Sequence, residues 1–201
     1  VHGGAISKPD DCELNQWQAY LVNVEGTVTT LVNAAEQKSF FLFVSTDFVF
    51  DGETGMYKED DKTEPVNYYG KTKLEAEELV KDYEHGWSIV RTVMVYGKPI
   101  LSRANILSIV KEKLEKGERY NVVDDQVRTP TYVEDLATGI VQIVEKKATG
   151  VYHLSGKDVM TPYEMACKAA DYLRLDKSLI NRVTAADFSQ AARRPEKTGL
   201  N

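Results

Sequence analysis

Phe40-Phe41-Leu42-Phe43-Val44-Ser45-Thr46-Asp47 is the stretch that decides the fold. Five apolar residues in a row, ending on two hydroxyls and an acid, read as a strand buried on both faces of a parallel sheet. A polar connection from Phe48 to Pro65 follows, carrying Gly52, Gly55 and the acids Glu59, Asp60 and Asp61. From about Asn67 to Tyr83, Tyr69, Lys73, Ala76, Val80 and Tyr83 fall on one stripe at helical spacing. Ser88-Ile89-Val90-Arg91 is the next strand, running into Thr92 to Gly97. Strand, helix, strand in that order predicts a right-handed βαβ unit in an open α/β sheet.

Working outward, Ala19 to Glu36 reads as a helix with Val22, Gly26, Leu31, Ala34 and Ala35 on its apolar side. Gly26 in its middle costs stability and predicts a close packing contact. Val1-His2-Gly3-Gly4-Ala5 reads as the end of a strand turning into a loop. Beyond Gly97, Ile106 to Leu114 forms a helix closed by Gly117. Tyr120 to Val123 and Thr131 to Val133 are short strands, and Glu134 to Lys146 is a helix with acids first and lysines last. Gly150 to Leu154 is a strand. Thr161 caps a helix over Pro162 to Leu173 with Glu164 completing a capping box, and Ile180 to Val183 is a last short strand. The tail from Arg193 to Asn201 reads as polar loop. No internal repeat or low-complexity segment interrupts this order.

The 201 residues carry a net charge of −6, which disfavours nucleic acid and anionic membrane surfaces as partners. No apolar run is long enough to span a bilayer, and a cytoplasmic protein is the expectation. Cys12 and Cys167 are isolated, and His2, His85 and His153 are scattered, so no metal site is expected.

Tyr69 and Lys73, four apart, share one helix face. An ammonium beside a phenol favours the phenolate and lowers the tyrosine pKa, so that Tyr69 can trade a proton with a carbonyl or hydroxyl oxygen. Thr46 lies just past the carboxyl end of a buried strand, where open α/β sheets bind ligands. Hydride chemistry there needs a cofactor, because no side chain carries a hydride. With 11 tyrosines, a Tyr-x-x-x-Lys pair also arises by chance, and a tyrosine on such a stripe also serves as plain core. Position after the strand-end Ser45-Thr46-Asp47 and the Pro65 loop makes the pair specific.

Ser45 to Gly52, Glu59 to Asp61 and Pro65 to Glu77 together resemble the extended short-chain dehydrogenase/reductases, and within them are similar to the dTDP-4-dehydrorhamnose reductases. Val22-Asn23-Val24-Glu25-Gly26-Thr27, Val90 to Gly97, Arg128 to Ala137, and Arg194-Pro195 with Leu200 resemble further motifs of that family in the same order. The resemblance implies a doubly wound parallel Rossmann-type sheet with a small C-terminal α/β substrate lobe. Residues 1–97 would be the later part of the dinucleotide-binding domain. Residues 98–201 would be mostly the lobe, with about 120–146 returning to the sheet. It implies Thr46, Tyr69 and Lys73 as the catalytic triad, with Tyr69 donating a proton to a 4-keto sugar. Lys73 would lower the tyrosine pKa and bind the nicotinamide ribose of NADPH or NADH, and Thr46 would orient the carbonyl. His2, Gly3, Gly4, Ala5, Thr92 and Val93 would line the cofactor site, and Asn23 would support it. Thr46, Asp47, Arg128 and Arg194 would meet the nucleotide-sugar substrate. A structural salt bridge is the equal alternative for Arg128, and a solvated tail is the alternative for Arg194. A homodimer is a further implication.

Two departures matter. The family's opening strand and glycine-rich turn have no counterpart, so about 60 residues, two βαβ units, are expected to precede Val1 in the intact protein. A chain without them is expected to bind a dinucleotide poorly and to be inactive. Phe48 stands where a tyrosine is common. Within the superfamily the alternatives are an epimerase or a dehydratase, though dehydratases place an acid where Phe48 stands. Outside enzymology, relatives serve as non-catalytic regulatory subunits of methionine adenosyltransferase.

Overall fold

In a computed structural model that describes residues 1–99 and 104–201, a parallel sheet carries the core. Strands β1 (Phe41–Thr46), β2 (Trp87–Thr92) and β6 (Gly150–His153) lie side by side, all parallel, with Thr46 level with Thr92 at their carboxyl ends. On the other side of β1, His2 bridges Phe43, so the first residues continue the sheet. Alternation along β1 explains the unbroken apolar run from Phe41 to Val44. Phe41 and Phe43 pack with Ile89 against Ala76 and Val80 of α4 (Tyr68–Lys81), against Tyr83 just beyond it, and against Leu31, Ala34 and Ala35 of α3 (Gly26–Glu36). Leu42 and Val90 pack the other way, against Leu136, Ile140 and Ile143 of α6 (Val133–Lys146). Helices on both faces of a parallel sheet make the fold doubly wound, as the resemblance implied.

The helix expected over Ala19 to Glu36 is broken into more pieces than its periodicity suggests. Two short helices, α1 (Pro9–Leu14) and α2 (Gln16–Tyr20), lead into a π-helical stretch, Leu21–Glu25, and then into α3. Gly26 has no close packing contact of the expected kind. Its N–H closes the π stretch on the Leu21 carbonyl.

A lobe stands beyond Gly97. Parallel strands β4 (Tyr120–Val123) and β7 (Ile180–Val183) pair with each other, covered by α5 (Ile106–Glu115) and α7 (Pro162–Leu173) around Val110, Leu114, Val122, Ala166 and Ile180. The segment from about 120 to 146 does not return to the sheet as one piece. Strand β4 stays in the lobe, while α6 and then β6 return. Strands β3 (Val95–Tyr96) and β5 (Thr131–Tyr132) pair at the junction.

Two loops are less polar than they read. The connection from Phe48 carries Val49, Phe50 and Tyr57 into a core with Val93 and Leu200, Phe50 stacking on Tyr57 at 4.2 Å. The tail has no regular element but is pinned along its length. Lys197 N–H bonds the Gly52 carbonyl at 2.9 Å, Thr198 N–H the Val127 carbonyl at 3.1 Å and Asn201 N–H the Tyr57 carbonyl at 2.9 Å. Among the described residues no helix is long and apolar enough to cross a membrane, and no group of three or more His, Cys, Asp or Glu could hold a metal ion.

Candidate active site

Thr46, Tyr69 and Lys73 line one cleft of about 780 Å³ at the carboxyl ends of β1 and β2. Thr46 is the last residue of β1. Its Oγ1 accepts the Phe48 N–H at 3.2 Å and donates to Asp47 Oδ1 at 3.0 Å, so the strand stops in a single tight turn. Helix α4 begins because Asn67 caps it, its Oδ1 accepting the Gly70 N–H at 2.9 Å. The Glu13 carboxylate accepts the Tyr68 N–H at 2.9 Å, which places a negative charge at the positive end of the helix. These two anchors fix Tyr69 in the first turn and Lys73 one turn on. The Tyr69 ring meets Phe48 edge-on at 5.9 Å.

Lys73 is only 2% exposed. Its Nζ donates to the Val44 carbonyl at 2.8 Å and sits 3.8 Å above the Phe43 ring. Burial pushes its pKa down to about 7, while the Glu77 carboxylate one turn along opposes the fall. Between pH 7 and its ordinary 10.5, the unfolded chain then holds more protons than the folded one, so stability rises with pH across that window. Lys73→Met removes the buried charge and is expected to stabilise the fold by about 1–4 kcal/mol at pH 7. The gain shrinks toward pH 10.5, where the wild-type lysine is neutral in the folded state and only half-charged in the unfolded chain. Thermal midpoints of both proteins measured across that range decide it; a gain that does not depend on pH rejects the charge explanation.

The residues expected at the cofactor site divide. Gly3, Ala5 and Thr92 line the cleft. His2 and Gly4 do not, and His2 Nε2 turns instead to Thr27 Oγ1 at 3.1 Å. Val93 faces away from the cleft into the core with Val49 and Phe50. Asn23, in the π-helical stretch, ties the Ile6 loop to α4. It accepts the Ile6 N–H at 2.8 Å, and its Nδ2 donates to the Ile6 carbonyl at 3.1 Å and to Thr72 Oγ1 at 2.9 Å. The side chain is buried within this stretch, and such insertions recur at functional sites.

On the substrate side, Asp47, Arg128 and Arg194 also line the cleft, together with Gln126 and Asn105, which the sequence reading did not single out. Asn105 caps α5 and donates to the Gly97 carbonyl at 2.7 Å. Arg128 donates from both terminal nitrogens to the carbonyls of Val127, Pro195 and Glu196 and to Gln126 Oε1, at 2.7–3.0 Å. Its Nε stands 4.0 Å from Asp47. That is the structural alternative: the guanidinium fastens the tail to the strand end. Arg194 is not solvated. It forms a two-pronged pair with Asp10 of α1 at 2.7 and 3.0 Å across the cleft mouth, and this pairing holds the Asp10 carboxyl below its usual range.

A second groove, of about 1060 Å³, runs between α5, α7 and Tyr132 and shares Tyr96, Gly97 and Lys98 with the first. Thr46, Tyr69 and Lys73 do not line it, so the smaller cleft is the candidate site.

Comparison with known proteins finds relatives of the fold. Methionine adenosyltransferase 2 subunit beta of Xenopus tropicalis is 35% identical over 190 residues, a match covering 92% of this chain and 57% of that protein. The chain therefore spans less than two-thirds of that relative. The dTDP-4-dehydrorhamnose reductase of Bacillus anthracis, solved in complex with NADP, superposes with a TM-score of 0.93 at 30% identity, covering 100% of this chain and 70% of that one. A dTDP-4-dehydrorhamnose reductase from Clostridium acetobutylicum superposes at 0.91 with 31% identity, covering 98% of this chain and 69% of that one. The RmlD substrate binding domain matches residues 1–201, and the chain belongs to that family.

Proposed function

We propose that the chain carries the catalytic part of a nicotinamide-dependent reductase for a nucleotide-linked 4-keto-6-deoxy sugar, of the dTDP-4-dehydrorhamnose type. The observation that carries this is the convergence of Thr46, Tyr69 and Lys73 on one cleft at the strand ends. Lys73, Tyr69, Thr92 and the backbone at Gly3 and Ala5 bring an ammonium, two hydroxyls and peptide groups to the same cleft, a donor set that suits a nicotinamide ribose. NADPH or NADH bound there supplies the hydride.

Tyr69 is the proton donor to the substrate carbonyl oxygen. Lys73, half-charged near neutrality, lowers the cost of the tyrosinate that results. Thr46 orients the carbonyl. Arg194 is the cation at the cleft mouth nearest an incoming diphosphate, provided that it exchanges Asp10 for the ligand; Arg128 stays as the anchor behind it.

A second reading has its own support. The 35% identity is to a subunit named for methionine adenosyltransferase, so a regulatory subunit that keeps the fold is the competitor. One assay separates the two. Full-length protein is given NADPH and dTDP-4-dehydro-6-deoxy-L-mannose, and absorbance of the reduced nicotinamide is followed. The reductase reading expects oxidation that Tyr69→Phe lowers by about 10²–10⁴-fold. Tight NADPH binding without oxidation rejects it and favours the regulatory subunit.

A further inference from the structure

The Thr46 hydroxyl has one proton, and the structure spends it inside the protein. A carboxylate only accepts hydrogen bonds, so the 3.0 Å contact with Asp47 Oδ1 is a donation from Thr46. The Phe48 N–H occupies one of the lone pairs of Thr46 Oγ1. Thr46 therefore cannot donate to a substrate carbonyl until Asp47 lets the proton go. Asp47 is 4% exposed and its second oxygen, Oδ2, accepts from Thr198 Oγ1, a tail residue with no exposure at all. Arg128, with Nε 4.0 Å from Oδ2, is the charged group facing this carboxylate.

We propose that Thr198 is a positioning residue for the reduction: by sharing Asp47 with Thr46, it sets how readily Thr46 turns its proton toward the substrate carbonyl. The proposal rests on the reductase reading. With Thr198 donating to Oδ2, Asp47 keeps a hydrogen bond when Thr46 leaves Oδ1. Without that donor, Asp47 depends on Thr46 and holds it. The tail thus reaches the catalytic threonine across 151 positions of sequence without entering the path of the substrate. Burial raises the Asp47 pKa, and Arg128, Thr198 and Thr46 oppose that rise in this order, consistent with a carboxylate whose charge depends on its donors.

Thr198→Val keeps the side-chain shape and removes the donor. In the full-length protein it is expected to lower kcat for the keto sugar about tenfold, the worth of one hydrogen bond to a charged group. KM for NADPH should stay within about twofold, and Thr198→Ser should restore kcat. The Asp47 side-chain carboxyl carbon, followed by NMR in the same variant, is expected to titrate at higher pH than in the wild type. An unchanged kcat in Thr198→Val, or a loss that Thr198→Ser does not restore, overturns the proposal. If the wild type itself fails to oxidise NADPH, the reductase reading fails separately. The Asp47 titration then decides the coupling by itself: an unmoved midpoint overturns it and a raised one sustains it.

Discussion

Glu77→Ala is expected to cost the fold about 3–5 kcal/mol, because it strands a buried guanidinium. Glu77 is fully buried and Arg91 is 2% exposed. The carboxylate takes Arg91 by both oxygens, Oε2 to Nη2 at 2.7 Å and Oε1 to Nε at 3.0 Å, and also accepts Ser45 Oγ at 2.5 Å. Arg91 Nη1 continues to the Glu59 carbonyl at 3.2 Å, and the guanidinium lies 5.1 Å from the Phe50 ring centre. One residue of α4 thus fastens the last turns of β1 and β2, the two strands whose ends form the cleft. Alanine leaves Arg91 charged and buried without its Glu77 counter-charge, and takes from Ser45 the acceptor it has there. Against a total stability of about 5–15 kcal/mol, the loss is a large fraction of the whole. Urea unfolding measures it. Glu77→Gln keeps the shape and the Ser45 acceptor and should fall between. A loss below about 1 kcal/mol for alanine would mean that Arg91 finds another partner, and would remove this pair from the account of how the cleft is held.

What was legible in the sequence was what short-range pattern encodes. Phe41 to Val44 could be read as a two-faced buried strand because both faces of β1 are covered by helices. Thr161 and Glu164 could be read as a capping box because all its parts lie within four residues, and the structure forms both bonds. Tyr69 and Lys73 could be placed on one helix face from their spacing alone. The rest depended on contacts that sequence distance hides. Arg194 meets Asp10 across 184 positions, and Thr198 meets Asp47 across 151. No local signal announces either, so the tail read as solvated loop. The resemblance put Val93 with Thr92 at the nicotinamide, but neighbours at a strand end face opposite ways, and of the two only Thr92 lines the cleft. The π-helical stretch around Asn23 was invisible because it spans only five residues, too few for apolar periodicity to reveal one extra residue in a turn. Glu77 did leave a trace: an acid four residues past Lys73, beside the apolar stripe of its helix, where a surface charge has no reason to be.

Gly70→Ala is expected to lower kcat/KM about 10²-fold through geometry alone. In an open helix the same change gains about 1 kcal/mol, since alanine is the best helix former and glycine among the worst. Gly70 sits in the first turn of α4, between Tyr69 and the rest of the catalytic helix. A Cβ at this position would stand 2.1 Å from the Phe48 carbonyl oxygen and 2.8 Å from Pro65 Cβ. The oxygen is backbone, locked by the turn that ends β1, so it cannot swing aside as a side-chain end would. Relief needs the start of α4 to move away from the Thr46–Phe48 turn by roughly 1 Å, the difference between this contact and an ordinary one. That motion opens the gap between Tyr69 and Thr46, the two hydroxyls that the proposed reduction brings to one carbonyl oxygen. Stability should fall by about 1–3 kcal/mol, the usual cost of forcing extra atoms into a packed site. Steady-state kinetics with urea unfolding on the same preparation test both effects. A variant that is as stable as the wild type and as active would show that α4 and the strand-end turn are not held in contact, and the close approach that aligns the triad would have to be given up.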